Sequence, residues 1–250
     1  VYKENRHDNN SKLFFNSIGN YDGDDIIDII LKNKQCAAFI SDKIYRHFVN
    51  PKPNKKHIAA MTDVFFKDYN IENLMRFVFL SDWFYDDDNI GSKIKSPIEY
   101  LVGMANTVPV VFEKEKDLIK IQKLLGQILL NPPNVAGWKG DKAWIDANTI
   151  MIRLKLPSVI LNNSVIDSGQ NDQFKKKFIQ KYKGKLPFKT LPNWTTFLEN
   201  FEAVATEDLQ DYILQGTINK GTADYLKTLS KMSKREYCVQ LMSLPEYQMC

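Results

Sequence analysis

The sequence predicts an all-α protein, an irregular multi-helix bundle with a Pro/Gly/Trp loop packed on the helices. Three observations carry this expectation. Apolar residues recur with a period of about 3.6 along most of the chain. Capping boxes open two of the periodic stretches. Alternating apolar and polar residues, the mark of half-buried strands, are scarce. With 250 residues, 44% of them hydrophobic, the chain can bury one sizeable core, or a core and a small appendage.

Taken in order, Asp22 stands three residues before Asp25 at the head of Ile26-Ile27-Asp28-Ile29-Ile30-Leu31, where acidic side chains cap free N–H groups and oppose the helix dipole. Ala37, Ile40, Ile44 and Phe48 share one helical face, and Ile58, Met61 and Phe65 share another. Ser96-Pro97-Ile98-Glu99 is a capping box with Pro at the first helical position, and Ile98, Leu101, Val102 and Ala105 fall on one side beyond it. Leu118, Ile121, Leu125 and Ile128 form the next stripe, and Ile150 with Leu154 another. Ser158 to Asp172, rich in Asn, Ser and Gly, reads as a flexible connection. Trp194, Phe197, Leu198 and Phe201 are followed by Thr206 as an N-cap for Leu209 and Ile213, with Gly216 as the stop. Ser233-Lys234-Arg235-Glu236 is a second capping box, with Met232 and Tyr237 placed as a hydrophobic staple. Pro245 stops that helix near Leu244. The expected total is roughly eight to eleven short helices. The expected partition is a helical core over residues 1–157, a connection over 158–173 and C-terminal helices over 174–250 packed on the same core.

Composition narrows the function classes. No run approaches the roughly 18–20 apolar residues that span a bilayer, so a transmembrane role is not expected. Cys36, Cys238 and Cys250 are odd in number and lack metal-type spacing; free thiols are expected, with one Cys36-to-C-terminal bridge left open. The formal charge of +4 is local. Residues 171–189 hold seven lysines against Asp172, including Lys175, Lys176, Lys177 and Lys181 around Phe174, Phe178 and Tyr182. This stripe could meet polyanions, or it is a solvated helix face with its aromatics turned inward. No nucleic-acid reading motif accompanies it, so no nucleic-acid partner is expected. Gly-rich phosphate loop, HExxH and nucleophile-elbow signatures do not occur.

The densest signal lies in Pro132-Pro133-Asn134-Val135-Ala136-Gly137-Trp138, followed by Ala143-Trp144-Ile145 and, further on, Arg153. Pro-Pro favours extended backbone, while Gly137 and Gly140 admit positive φ. The block is therefore a loop, and one so apolar is expected to pack inward, with Trp138 and Trp144 clamping it to the helices and Asp141 or Asp146 capping the next helix. Alternatively an indole is an exposed platform beside Asn134 and Asp146 for a protein partner or a glycan. Arg153 completes that candidate binding set, unless it pairs with Glu99 in the interior.

This block resembles the bacterial domain of unknown function 1800 family. His7-Asp8-Asn9-Asn10-Ser11-Lys12 with Asn20 to Leu31, Lys95 to Gly103, and Leu241 to Cys250 are similar to the same family. The resemblance implies that this is the C-terminal half of a longer protein whose N-terminal half is a partner, in agreement with Val1 in place of an initiator Met. It also implies a secreted or cell-envelope location. Where relatives carry a PATARF-like segment, this chain has Lys34 to Phe39 and lacks the arginine. No reaction comes with the family. The function expected is therefore binding of a partner or glycan. The alternative is a hydrolytic or metal-assisted enzyme completed by the missing half, in which His7, Asp22 and Asp25 hold a divalent cation. Asp22-Gly23-Asp24-Asp25 lacks the alternating ligands of a calcium loop, and capping accounts for its acids equally well.

Overall fold

Eleven α-helices and two short antiparallel strand pairs lie among the residues that the computed structural model of the chain describes, 3–163 and 188–250. The protein is predominantly helical, as the periodicity requires. It divides into two units, Val1–Asn89 and Ile90–Cys250, a boundary that differs from the expected partition at residues 157 and 173.

In the first unit, strands β1 (Lys12–Phe14) and β2 (Ser17–Gly19) form a hairpin turned by Phe15 and Asn16, both at positive φ. Helices α1 (Gly23–Leu31), α2 (Lys34–Phe48), α3 (Lys55–Phe65) and α4 (Ile71–Phe79) follow. Asx caps start them: Asn33, Asn54 and Asn70 each accept an N–H of the first turn of α2, α3 and α4. Their core holds Ala37, Tyr45, Met61, Phe65, Leu74 and Val78. The α2 stripe is rotated from the expected one. Ala37, Ser41 and Tyr45 are buried, Ile40 and Ile44 are half-buried, and Phe48 is exposed. Tyr45 occupies the inner face that the expected stripe gave to Ile44.

The second unit contains α5 (Pro97–Thr107), β3 (Val110–Phe112), α6 (Glu115–Leu125), α7 (Ala147–Leu161), β4 (Thr190–Pro192), α8 (Trp194–Asn200), α9 (Leu209–Ile213), α10 (Lys220–Thr228) and α11 (Lys234–Met242). Both predicted capping boxes form. Ser96 Oγ accepts the Glu99 N–H at 3.2 Å and Glu99 returns a bond to the Ser96 N–H at 2.7 Å; Ser233 and Glu236 repeat the exchange. On α5, however, Pro97, Tyr100 and Met104 face inward while Val102 is exposed. Ahead of α9, Thr206 is not the cap; Asp208 takes that position, with no side-chain bond to the helix.

Helix α7 is the centre of this unit. From Ile152 to Leu161 it is buried on nearly all sides, and it continues through Pro157. The expected connection from Ser158 therefore begins inside a helix; its remainder from residue 164, like the lysine stripe Lys175, Lys176, Lys177 and Lys181, lies outside the described residues. Proline lacks the N–H that would bond the carbonyl four residues back, here that of Arg153. Tyr100 fills the gap: its hydroxyl donates to Arg153 O at 2.6 Å. A second repair holds the strand that returns to the core, where Thr190 Oγ1 donates to Ile160 O at 2.5 Å.

Candidate functional site

The Pro/Gly/Trp segment runs between α6 and α7 and is fixed at both ends. At its start α6 closes on Gly126 at φ +89°, a left-handed stop suited to glycine. Gln122 Oε1 accepts the Leu129 N–H at 2.8 Å and Gln127 Oε1 accepts the Ile98 N–H at 3.0 Å. At its end Asp141–Trp144 forms a 3-10 turn. Trp144, 8% exposed, is its buried anchor. Thr149 Oγ1 donates to Trp144 O at 3.0 Å, and Asp146 caps α7 by accepting the Asn148 and Thr149 N–H groups at 2.7 and 2.8 Å. Of the two acids proposed as caps, Asp146 does the work.

Between these anchors the segment turns outward rather than inward. Asn134 folds its side chain onto the Ala136 N–H at 2.9 Å, and its carbonyl accepts the Gly137 N–H at 3.0 Å. Gly137 and Gly140 have φ of +79° and +72°, as a bend of this kind requires. Leu130 is 91% exposed and Val135 fully so; Leu129, Pro132, Pro133 and Asn134 are also exposed, and Trp138 is half-buried. The inward packing expected for the whole block thus holds for Trp144, while the apolar apex is aliphatic and in solvent. This apex left a signal in Leu129-Leu130 that the emphasis on tryptophan passed over.

The family model described as protein of unknown function (DUF1800) matches residues 1–249. The chain belongs to the DUF1800 family. No curated protein and no solved structure matches it. The family's description names no reaction, so the chemistry of this DUF1800 protein is read from its own side chains.

Arg153 does not join the loop surface. It is fully buried on α7, donating from Nη1 to Gln248 Oε1 at 3.2 Å and from Nη2 to Lys95 O at 3.0 Å. Nor does it pair with Glu99, which engages Lys93 Nζ at 3.2 Å and the Ser96 N–H. Burial works to raise the Glu99 pKa, but the Ser96 N–H and the Lys93 ammonium outweigh it and hold the carboxyl below its ordinary value. Burial lowers the Lys95 ammonium and pushes the Tyr100 hydroxyl well up.

Of the proposed cation ligands, Asp22 and Asp25 cap α1. Asp22 Oδ1 accepts the Asp24 and Asp25 N–H groups at 2.9 and 3.0 Å, and Asp25 Oδ2 accepts the Asp22 N–H at 3.0 Å. The Asp25 N–H is the main reason that the Asp22 carboxyl sits below its usual range, with a smaller push from the charge of His7. Among the described residues no group of three His, Cys, Asp or Glu side chains could share a metal ion. All three cysteines are free, and burial pushes Cys238 up to about 12, which leaves it an unreactive thiol. The sequence reading missed two concavities in the first unit: one of about 640 Å³ lined by Phe15, Tyr21, Asp25, Asp28 and Lys32, and one of about 600 Å³ between α2 and α3. Each gathers residues from separate elements, which leaves no local pattern. Among the described residues no helix is long and apolar enough to cross a membrane.

Proposed function

We propose that this DUF1800 protein acts by binding another protein through the apex Leu129–Ala136, with Trp144 and the α7 cap holding that apex in a fixed pose. The observation that carries this reading is the exposure of Leu130 and Val135 on a loop anchored at both ends. Apolar side chains gathered at one projecting point mark contact surfaces, and a loop fixed beforehand loses little entropy on binding. A protein partner suits it better than a glycan. Sugars stack on open indole faces, and Trp144 is buried while Trp138 is half-covered. The metal-assisted alternative is not carried further, because its carboxylates already serve α1.

A photo-crosslinking residue at Val135 in cells tests the reading. A discrete protein adduct that disappears when Leu130→Asp is added, with thermal stability unchanged, is expected. No adduct, or one indifferent to Leu130→Asp, would reject the contact. The encounter is proposed to take place in the envelope or outside the cell, and cell fractionation with the adduct recovered only from cytoplasm would refute that location.

A further inference from the structure

Phe48, Phe79, Leu80 and Tyr85 are exposed, Leu80 by 74%, and belong to neither apolar core. Three of them nevertheless form a continuous row with Phe84. Phe48 ends α2 and Phe79 ends α4, and their ring centres lie 6.3 Å apart; Phe84 is 5.1 Å from Phe79, and Tyr85 is 5.1 Å from Phe84, all edge to face. The row is fixed. Tyr85 Oη donates to Phe79 O at 2.9 Å, which closes the 3-10 turn Asp82–Tyr85 on the end of α4. On the inner side Trp83 stacks on His57 at 4.4 Å, and Asn50 Nδ2 donates to Asp88 O at 2.9 Å. An exposed aromatic row with no part in the core marks a contact surface, and one set beforehand loses little entropy on binding.

Charge selects what it contacts. Between Phe77 and Ser92 the chain carries Asp82, Asp86, Asp87 and Asp88 and no lysine or arginine. All four carboxylates are on exposed residues, and none of the ion pairs among the described residues includes them. The C-terminal ends of α2 and α4, the negative ends of their dipoles, lie at the same place. Aromatic rings with an acidic border attract ammonium and guanidinium groups, and the same border repels lipid and nucleic-acid phosphates. We infer that this face of the first unit docks a short basic amphipathic segment of another protein, with its apolar residues on the row from Phe48 to Tyr85 and its Lys or Arg side chains against Asp82, Asp86, Asp87 and Asp88. The contact is separate from the exposed apex of the second unit and does not depend on it.

The test titrates the whole chain with two synthetic peptides of about fourteen residues, read by fluorescence anisotropy. One has Leu and Phe at helical spacing and Lys elsewhere; the other has Glu in place of every Lys. Saturable binding of the lysine peptide alone is expected, weakening about tenfold or more as salt rises from about 50 to about 300 mM. The triple variant Asp86→Asn, Asp87→Asn, Asp88→Asn should weaken it about tenfold, Leu80→Ser should weaken it as well, and Leu130→Asp should leave it unchanged. Both first-unit variants alter exposed side chains and keep the Tyr85 and Asn50 bonds. Equal binding of the two peptides, no binding of the lysine peptide, or an affinity indifferent to either first-unit variant would overturn the inference. Binding that Leu130→Asp abolishes would also overturn it, because the peptide would then sit on the apex.

Discussion

Single side chains start the helices of this protein, and they do so reciprocally. Asp22 with Asp25, Ser96 with Glu99, Asp146 with Thr149, and Ser233 with Glu236 each exchange bonds across the first turn of α1, α5, α7 and α11. Asp146→Ala should cost about 1 kcal/mol of stability, the usual loss for an N-cap, read by urea denaturation. Glu99 makes the capping pH-dependent. Its folded pKa lies below the ordinary 4.5, so its contribution is complete above pH 4.5 and is lost as pH falls through the folded value. Glu99→Gln, which keeps an acceptor but removes the charge, should therefore show a shallower fall in Tm below pH 4.5 than the wild type; parallel curves would mean that the carboxylate contributes nothing. These caps were legible in the sequence because a capping box occupies four consecutive residues. The Arg153 environment was not, because Lys95, Tyr100, Arg153 and Gln248 meet only once three separate elements have packed.

At the scale of whole elements, what the sequence showed was the existence of helices more than their inner faces. The stripes expected on α2 and α5 caught Ala37 but left out Tyr45, Tyr100 and Met104, which carry much of the burial; aromatic and thioether side chains reach further into a core than the aliphatics beside them. The Asn-, Ser- and Gly-rich composition after Pro157 predicts a connection there, but α7 runs through that proline, and the carbonyl that its missing N–H leaves open takes a bond from another helix. That bond makes a prediction. Tyr100→Phe leaves the buried Arg153 carbonyl without a donor and should cost about 1–3 kcal/mol. In a Pro157→Ala background, residue 157 regains an N–H for the same carbonyl, so Tyr100→Phe should cost measurably less there. A double-mutant cycle by urea denaturation checks it, and strict additivity would show that the two residues are not coupled through that oxygen. Gly126 offers a cleaner backbone test. At φ +89° with nothing within 4 Å of a built Cβ, Gly126→Ala meets no clash, so any loss reports left-handed backbone strain alone, about 1–2 kcal/mol.

At the scale of the molecule, the division at Asn89 and Ile90 had a faint trace in the sequence, the polar run Asp86-Asp87-Asp88-Asn89, overshadowed by the longer Ser-, Asn- and Gly-rich stretch after Pro157. Composition marks a connection only where chain lacks contacts, and Asp86–Asn89 is a short join with partners of its own, since Asn50 Nδ2 donates to Asp88 O at 2.9 Å and Asn89 Oδ1 at 3.0 Å. What separates the units is burial: Leu74 belongs to one apolar cluster and Leu156 to another, and the buried members of the two clusters do not overlap. Cooperativity follows shared core contacts. Each unit should therefore unfold as its own cooperative step. Leu74→Ala and Leu156→Ala, both at fully buried positions, should each remove about 2–5 kcal/mol. By differential scanning calorimetry of the whole chain, Leu74→Ala should lower one transition and Leu156→Ala the other, each leaving the second transition in place. A single transition that both variants lower equally would show that the two cores melt as one.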